Sequence, residues 1–372
     1  MAVTSDQVLA ALRVVQDPDL GRDIVSLGFV KHIAIENGRV SFQIELTTPA
    51  CPVKDLLRDQ AHQAVSALAG VSSVEIGMTA QVRRSAFGGQ ASGGQPAGAA
   101  QAPSLAPTVK NVIPIASGKG GVGKSTVSAN LALALARTGA RVGLMDADVY
   151  GPSIPWILGI TEQPEVDEQN RITPVEQDGI KVVSMGFFMQ PEEAVIWRGP
   201  MLHKTVQQFL GGVLWGELDY LLVDLPPGTG DVQLSLCQSI PISGAVVVST
   251  PQDVALNVAQ KAITLFRKLN APVLGIIENM AYYSCLHCGK RDDIFGSGGA
   301  RAVAERMGLP FLGEIPLATR IRSASDDGRP LVLTEPDSDL AKAFLRVAEQ
   351  LAAQVSIRGM QGDPASQVKV TF

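Results

Sequence analysis

Hydrophobic and polar positions follow two different patterns along the chain, and the change falls near Pro107. Before it, apolar residues recur at helical spacing after Ser5. Two alternating stretches, VKHIAI and RVSFQIEL, then flank Asn37-Gly38, a dipeptide typical of a tight hairpin turn. A Pro-rich loop, a helix over residues 53–68 and a short strand over residues 74–76 follow. This mixed pattern predicts a small α+β domain over residues 1–85, with Ser5 capping its first helix.

After Pro107 the apolar runs become nearly continuous and alternate with helical patterns. Parallel strands have this character because helices cover both faces of the sheet. Helices are predicted between the runs, for example over residues 125–137 and 253–269. We therefore predict an α/β domain over residues 109–356, with a doubly wound, mainly parallel sheet, followed by a tail over residues 357–372. The predicted strands have the sequences NVIPIA, RVGLMD, YLLVDLP, GAVVVST, PVLGIIEN and PFLGEIP.

The stretch between the two patterns, residues 88–107, contains no charged and no aromatic residue. Such a segment buries too little apolar surface to offset the entropy lost on ordering. A flexible Gly/Ala/Pro/Gln linker is therefore predicted over residues 86–108.

Composition narrows the functional classes. The chain is 46% hydrophobic and 18% charged, with a formal net charge of −5 and no Lys/Arg run, so a nucleic-acid partner is not expected. Its start lacks a signal-peptide pattern and no apolar stretch is long enough to span a membrane, so we expect a cytoplasmic protein with no membrane partner. The four cysteines are too few for a disulfide framework in a chain of 372 residues.

A phosphate-binding motif follows the first strand of the larger domain. The sequence GKGGVGKST satisfies G-x-x-x-x-G-K-[ST] between a strand and a helix, where backbone N–H groups converge on phosphate oxygens. Lys124 is expected to contact the β- and γ-phosphates of ATP, and the Ser125 hydroxyl to ligate Mg²⁺. The predicted nucleotide-binding residues of this loop are Gly118, Lys119, Gly120, Gly121, Val122, Gly123, Lys124, Ser125 and Thr126.

Three aspartates stand at the ends of apolar strands. Asp224 ends YLLVD and suits Mg²⁺, either directly or through water. Asp146 and Asp148 follow RVGLM and suit the first switch, where one carboxylate orients the attacking water and the other supports the metal shell. Either residue could instead only cap the next loop.

Cys285 and Cys288 form a C-x-x-C pair in a loop after the strand PVLGIIEN. Two thiolates are half of a metal site, and a second C-x-x-C is absent. A twofold homodimer would supply the four thiolates of a [4Fe-4S] cluster. A thioredoxin-like redox pair and a zinc site shared between chains are the alternatives. Cys237 has the pattern of a core residue.

The loop also carries a second lysine, Lys119. The sequence KGGVGKS resembles the deviant Walker A motif of the MinD/ParA/nitrogenase-iron-protein class of dimeric ATPases. The resemblance implies that Lys119 reaches the partner's nucleotide as a catalytic residue beside Lys124. It also implies that Asp148 orients the attacking water and that Asn279 reads the adenine edge.

Together with the cysteine pair, the segments LMDADVYGPSIP, VIWRGPM and DLPPGTGD resemble the Mrp/ApbC family of iron–sulfur cluster carriers. The segments DPDLGRDIVSLGFV and TTPACP resemble the Mip-type domain fused to many members. The resemblance implies ATP hydrolysis coupled to cluster transfer. It also implies a homodimer, and partners among apo iron–sulfur proteins and cluster-assembly scaffolds. Cys51, in TTPACP at a helix start, is a possible accessory ligand.

Three rival functions remain open at this stage. A ligase or kinase on the same fold, such as a dethiobiotin-synthetase-like protein, would need a small-substrate pocket and no cysteine pair. A MinD/ParA-like positioning ATPase would carry a basic amphipathic helix at its end, whereas residues 340–355 lack a basic face. A pure binding module would hold ATP without hydrolysing it.

Overall fold

The structure is a computed structural model that describes residues 3–84, 105–189, 199–228, 230–285 and 287–361. Most of the predicted linker, residues 86–104, and the end of the predicted tail, residues 362–372, lie outside this range, as does most of VIWRGPM. The chain divides between Arg83 and Arg84 into two compact units.

The first unit is a three-stranded sheet with two helices. Strand β4 pairs antiparallel with β3 and parallel with β5, and every second residue of β4 is buried, as the alternation predicts. The predicted turn is present, with φ of 48° at Asn37 and 83° at Gly38. The elements are α1 (Ser5–Leu12), β1 (Gln16–Asp17), β2 (Arg22–Asp23), β3 (Val30–Glu36), β4 (Arg39–Leu46), α2 (Lys54–Ser66) and β5 (Ser73–Ala80).

Two details of this unit differ from the sequence prediction. Thr4, not Ser5, caps α1: its hydroxyl accepts from the Gln7 N–H, and the Gln7 side chain accepts from the Thr4 N–H. This reciprocal capping box satisfies two backbone donors that would otherwise be unpaired. Strand β5 is longer than the predicted residues 74–76 because it pairs with the whole length of β4.

The second unit contains the long sheet and most of the helices. Its strands are β6 (Val109–Ser117), β7 (Val142–Asp146), β8 (Glu165–Val166), β9 (Ile172–Thr173), β10 (Val175–Gln177), β11 (Ile180–Ser184), β12 (Leu218–Asp224), β13 (Ala245–Ser249), β14 (Val273–Ser284), β15 (Arg291–Asp292) and β16 (Phe311–Leu317). Its helices are α3 (Lys124–Arg137), α4 (Ile154–Ile157), α5 (Gly199–Gly211), α6 (Asp231–Ser239), α7 (Asp253–Lys268), α8 (Gly299–Met307), α9 (Thr319–Asp326), α10 (Leu331–Thr334) and α11 (Asp339–Gln361), with a 3₁₀ turn at Met185–Phe187.

The sheet order is β10-β11-β7-β12-β6-β13-β14-β16, with β15 paired to the end of β14. Within the described chain, the strands from β11 to β16 in this order are parallel, while β10 and β15 are antiparallel to their neighbours. The predicted α/β class with a mainly parallel sheet is therefore confirmed. All six predicted strands are present, but β11 and its hairpin partner β10 were missed, as were the two-residue strands β8, β9 and β15.

Both faces of the sheet are covered. Alternate strand residues such as Val112, Leu221 and Val247 share a core cluster with residues of α5, α6, α7 and α8. The intervening strand residues are equally buried, and helices α3 and α11 pack together and against strands of the sheet. This two-sided burial explains why the strands read as nearly continuous apolar runs.

Helix boundaries differ slightly from the prediction. Helix α3 begins at Lys124, one residue before the predicted start, and α11 runs to Gln361, so residues 357–361 of the predicted tail are helical instead. Ala106 is buried and the Thr108 carbonyl accepts from the Leu218 N–H at 3.2 Å. Residues 105–108, which the prediction assigned to the linker, therefore pack within the second unit.

Candidate functional site

The glycine-rich loop joins the central strand β6 to α3. Gly121 and Gly123 have φ of 77° and 79°, a left-handed conformation that glycine adopts without strain. At Gly118 the constraint is steric instead. A Cβ there would lie 2.5 Å from the backbone of Val258 and Ala259 in α7. The loop is therefore held between its own helix α3 and the neighbouring helix α7.

Asp224, at the end of β12, connects three residues of α3. Its Oδ2 lies 2.6 Å from Lys124 Nζ and accepts from Ser125 Oγ at 2.6 Å. Its Oδ1 accepts from Ser128 Oγ at 2.5 Å. Asp224 is fully buried and Lys124 nearly so, which strengthens their attraction. The structure thus brings together the predicted phosphate lysine, the predicted Mg²⁺ hydroxyl and the predicted Mg²⁺ carboxylate.

Asp146 organises the loop that follows β7. Its carboxylate is fully buried and accepts from the backbone N–H groups of Asp148, Ser153 and Ile154 and from Ser184 Oγ at 2.9–3.2 Å. Burial is the main cause that raises the pKa of Asp146, to about 7, and the nearby charge of Asp224 adds to it. Asp146 is thus positioned to hold the first switch loop in shape.

Asp148 belongs to the loop that follows β7 and lies close to Lys124. Its Oδ2 is 3.9 Å from Lys124 Nζ, and its Oδ1 accepts from the Tyr150 N–H at 3.3 Å. Burial raises the pKa of Asp148, and the Lys124 charge partly opposes that rise. Asp148 also lines an open cleft of about 510 Å³ together with Pro227, Gly230 and Gln233.

Lys119 and Asn279 contact other parts of the same chain. Lys119 Nζ lies 3.3 Å from the Oε1 atom of Gln252, at the start of α7. Asn279 Nδ2 donates to the Val122 carbonyl at 2.8 Å, so the residue predicted to read the adenine touches the phosphate loop itself.

A second loop near the phosphate-binding motif follows Asp224. The Gly228 N–H donates to the Ser117 carbonyl at 2.9 Å, and Gly228 has a φ of 94°. The Gln233 side chain in α6 donates to the Pro226 and Gly228 carbonyls at 2.9 and 3.1 Å. This loop is therefore anchored to both β6 and α6.

The cysteine pair lies at the tip of a hairpin formed by β14 and β15. The Cys285 N–H donates to the Lys290 carbonyl at 3.0 Å, and the Gly289 N–H donates to the Cys285 carbonyl at 2.8 Å. The pKa of the Cys285 thiol is lowered by the N–H of Cys288, then by the N–H of His287 and the Cys288 side chain. Cys288 is exposed and Cys285 half-buried. A thiol of this kind is suited to metal binding as the thiolate.

In the described part of the chain, the pair is not joined by further metal-binding side chains. In the described ranges, no group of three or more His, Cys, Asp and Glu side chains is arranged to hold a metal ion. Cys51 belongs to the other unit and is half-buried. Cys237 packs against the core, and burial raises its pKa to about 12, in agreement with its predicted structural role.

Sequence reasoning missed several supporting residues. Ser128 lies one helical turn after Lys124 and so faces Asp224, a spacing that could have indicated it. No local sequence pattern marks three others, because each acts through a contact that forms only in the folded chain. They are Ser184, Gln233 and Gln252. Glu278 was also missed, although it directly precedes Asn279 and is fully buried.

Comparison with known proteins identifies two family matches. The NUBPL iron-transfer P-loop NTPase family matches residues 108–352, and the iron-sulfur cluster assembly protein family matches residues 5–76. In the part of the chain that the structure describes, no helix is long and apolar enough to cross a membrane.

Related proteins match over most of their length. The "Iron-sulfur cluster carrier protein" of Synechocystis sp. is 46% identical, over 96% of this chain and 99% of that protein. The protein of the same name from Deinococcus radiodurans is also 46% identical, over 97% and 98%. The chloroplastic "Fe-S cluster assembly factor HCF101" of Arabidopsis thaliana is 44% identical, over 92% of this chain and 63% of that protein.

Solved structures share the fold of the second unit. A nucleotide-binding protein of Archaeoglobus fulgidus in complex with ADP is 42% identical, with a TM-score of 0.55 over 64% of this chain and 93% of that one. The cell division ATPase MinD of Pyrococcus furiosus is 25% identical, with a TM-score of 0.50 over 64% and 97%. With the sequence of the glycine-rich loop, the sheet topology and these matches in agreement, the chain belongs to the NUBPL iron-transfer P-loop NTPase family.

Proposed function

We propose that this protein is an ATPase that binds iron–sulfur clusters and transfers them to apo-proteins. The observation that carries the proposal is the position of the cysteine pair. Cys285, which is half-buried, and Cys288, which is exposed, follow the end of β14, the same strand whose Asn279 contacts the phosphate loop. One strand thus joins the ATP site to a pair of thiols. Relatives that align with nearly the whole chain carry the name "Iron-sulfur cluster carrier protein".

A homodimer completes the cluster site. Each chain supplies Cys285 and Cys288, and the twofold axis brings four thiolates to one [4Fe-4S] cluster, which is the cargo of the cycle. A single chain offers only two thiolates at this hairpin, fewer than the four that a cubane uses. Cys51 is a candidate accessory ligand that receives or hands on iron.

Mg²⁺ is the metal that the nucleotide site would hold. Hydroxyl and carboxylate oxygens are the ligands that this ion prefers, and Ser125 and Asp224 present them 2.6 Å apart. Asp146 supports this group from the end of β7. When bound with ATP, the ion would neutralise charge on the β- and γ-phosphates.

The remaining residues of the site divide the work of hydrolysis. Lys124 leaves Asp224 to bind the phosphates, and Asp148 orients the attacking water in the adjoining cleft. Lys119 leaves Gln252 to reach the partner's nucleotide, and the loop residues 118–126 bind the phosphates through their N–H groups. Asn279 reads the adenine edge. ATP binding and hydrolysis then switch the dimer between arrangements that hold and release the cluster.

The rival functions leave observed features without a use. A positioning ATPase has no need of the exposed cysteine hairpin, and the apolar residues of α11, such as Phe344 and Leu351, are buried in the protein, where they cannot bind a membrane. A P-loop ligase or kinase would leave the same cysteines unexplained.

Anaerobic reconstitution tests the proposal. Purified protein is incubated with sulfide and equal amounts of ferrous and ferric iron, desalted, and analysed for iron, sulfide and protein. We expect about four iron atoms per two chains, and transfer of the cluster to an apo-ferredoxin. Protein that binds no iron above the level of a Cys285→Ala/Cys288→Ala control would refute the carrier function.

A further inference from the structure

Two adjacent residues of β14 contact different partners on opposite sides of the strand. Asn279 donates to the Val122 carbonyl in the phosphate loop at 2.8 Å. Glu278 accepts from the N–H groups of Gly298 and Ala300, at the start of α8, at 3.0 and 2.5 Å. Because successive side chains of a strand point to opposite faces, a movement of this point of β14 acts on the phosphate loop and on α8 together.

The regular strand is interrupted directly after these two residues. Asn279 is in register with Ile315 of β16, whereas the next pair is Tyr283 with Leu317, so β14 has two extra residues over this interval. Met280 has a φ of 55°, a left-handed conformation that is uncommon for residues other than glycine. Such bulges bend a strand and redirect the segment that follows, which here leads to the cysteine hairpin.

A group of four charged side chains, Glu278, Glu314, Arg291 and Arg301, joins the elements around this bulge. Glu314 on β16 is in register with Glu278 and lies 3.5 Å from Arg301 of α8 and 3.8 Å from Arg291 of β15. Arg291 also lies over the ring of Tyr282, 4.1 Å from its centre. The hairpin that carries the cysteines is thus fixed to the same group as Glu278.

Glu278 stabilises the start of α8 from within β14. It is fully buried, and among the described residues its hydrogen bonds go to the N–H groups of Gly298 and Ala300. Burial raises its pKa, and Glu314 adds to that rise, while the two N–H groups and Arg301 oppose it. A buried carboxylate is unfavourable unless it is hydrogen-bonded, so its place here indicates a specific positioning role.

We propose that Glu278 is a positioning residue that couples the nucleotide site to the cysteine pair. A displacement of the phosphate loop at Val122 moves β14 through Asn279. Glu278 and the other three charged residues transmit this displacement to α8 and to the hairpin. Nucleotide binding therefore changes the position and exposure of Cys285 and Cys288. The inference rests on the proposed function only in treating these thiols as cluster ligands.

The test measures thiol reactivity in cluster-free, reduced protein. Rates of iodoacetamide modification of Cys285 and Cys288 are measured by mass spectrometry, with and without Mg²⁺ and a non-hydrolysable ATP analogue. Cys51 and Cys237 serve as internal references. In the wild type we expect nucleotide to change the rate of the pair by about fivefold, the lower range of typical coupling between sites.

Two variants remove the connection at different points. Glu278→Gln alters the buried contact with α8, and Arg291→Gln alters the half-exposed hairpin, where folding is less at risk. In both, we expect the nucleotide effect on Cys285 and Cys288 to fall to less than about twofold, while affinity for the analogue stays within about twofold of wild type. Arg306→Gln, on the exposed side of the same helix α8, is the matched control and should keep the full effect.

Two results would overturn the inference: an unchanged thiol rate in the wild type with saturating analogue, or a full nucleotide effect in both variants. Iron and sulfide counting on the same proteins separates this failure from failure of the proposed function. A wild type that loads a cluster but shows no nucleotide effect retains the carrier role and loses the coupling.

Discussion

Single residues of the nucleotide site combine a catalytic assignment with a structural one. Lys124 is the predicted phosphate lysine, and it also balances the buried charge of Asp224. Removing one partner of a buried pair leaves the other charge without compensation, which is far less favourable than removing both. The two roles can therefore be separated by single and double substitution.

We expect Lys124→Ala to abolish ATP hydrolysis and to lower the free energy of unfolding by about 3–5 kcal/mol, as for other broken buried pairs. The double variant Lys124→Ala/Asp224→Asn should recover much of that stability and none of the hydrolysis. Urea denaturation and phosphate release measure the two quantities. Iron loading should survive in both, because the cysteines lie on a separate hairpin. Hydrolysis at the wild-type rate in Lys124→Ala would contradict the phosphate-site assignment.

We expect Asp146 to make the stability of the folded protein depend on pH. Its pKa is about 7 in the folded chain, against an ordinary value of 3.8. Between these values the folded protein retains a proton that the unfolded chain has lost, so this group's contribution to stability falls as pH rises through the window and is level above it. Asp146→Asn should lack this component.

The measurement is the urea midpoint of wild type and Asp146→Asn at several pH values from about 4 to about 7.5. We expect the wild type to lose stability relative to the variant across this range. Asp337→Asn, at an exposed position of the same unit, is the control. Its urea midpoints should change with pH in the same way as those of the wild type. A wild-type curve that rises relative to Asp146→Asn would mean that the carboxylate is stabilised in its ionised form.

At the scale of elements, the phosphate loop depends on close approach between backbone segments. Gly118 lies against α7, whereas the nearest atom to a Cβ on Gly120 would be Pro227 Cγ at 4.0 Å. We expect Gly118→Ala to destabilise the protein by about 1–3 kcal/mol, because backbone must shift to admit the methyl group. Gly120→Ala should stay within about 0.5 kcal/mol of wild type in the absence of nucleotide. Equal unfolding midpoints for the two variants would show that α7 does not confine the loop.

Sequence predicted the elements that have a strong local signal. The six apolar strands and the phosphate loop were recognisable because buried parallel strands and glycine-rich turns have distinctive compositions. Strand β11 was missed because Lys181 interrupts its apolar run. The Asp178-Gly179 turn between β10 and β11, with φ of 51° and 80°, was a usable signal for that hairpin.

The supporting contacts of the site could not be predicted in the same way. Gln252 meets Lys119 across 133 positions of sequence, and Ser184 meets Asp146 across 38. Neither contact follows from periodicity or propensity, since both depend on how the sheet order brings distant strand ends together. The cysteine loop was predicted as a metal site, but its support by β15 and by Arg291 became visible only in the folded structure.

At the scale of the whole molecule, the proposed carrier must be a dimer when it is loaded. We expect Cys285→Ala and Cys288→Ala each to remove the cluster, because one cysteine per chain leaves only two thiolates for a cubane. Cys237→Ala should load normally, since that thiol packs against the core. Loading is measured by iron and sulfide content and by visible absorption after anaerobic reconstitution.

The bridging arrangement makes a sharper prediction for mixed dimers. A dimer of one wild-type chain and one Cys285→Ala/Cys288→Ala chain, isolated with two different affinity tags, retains two wild-type ATP sites but only two thiolates. We expect it to bind ATP normally and to hold no stable cluster, whereas a tagged wild-type dimer should hold about one four-iron cluster. Gel filtration under anaerobic conditions should show the loaded wild type as a dimer. A cluster retained by the mixed dimer, or by a strictly monomeric species, would require all ligands to come from one chain. Cys51 would then be the first residue to substitute, because Cys237 is held in the core.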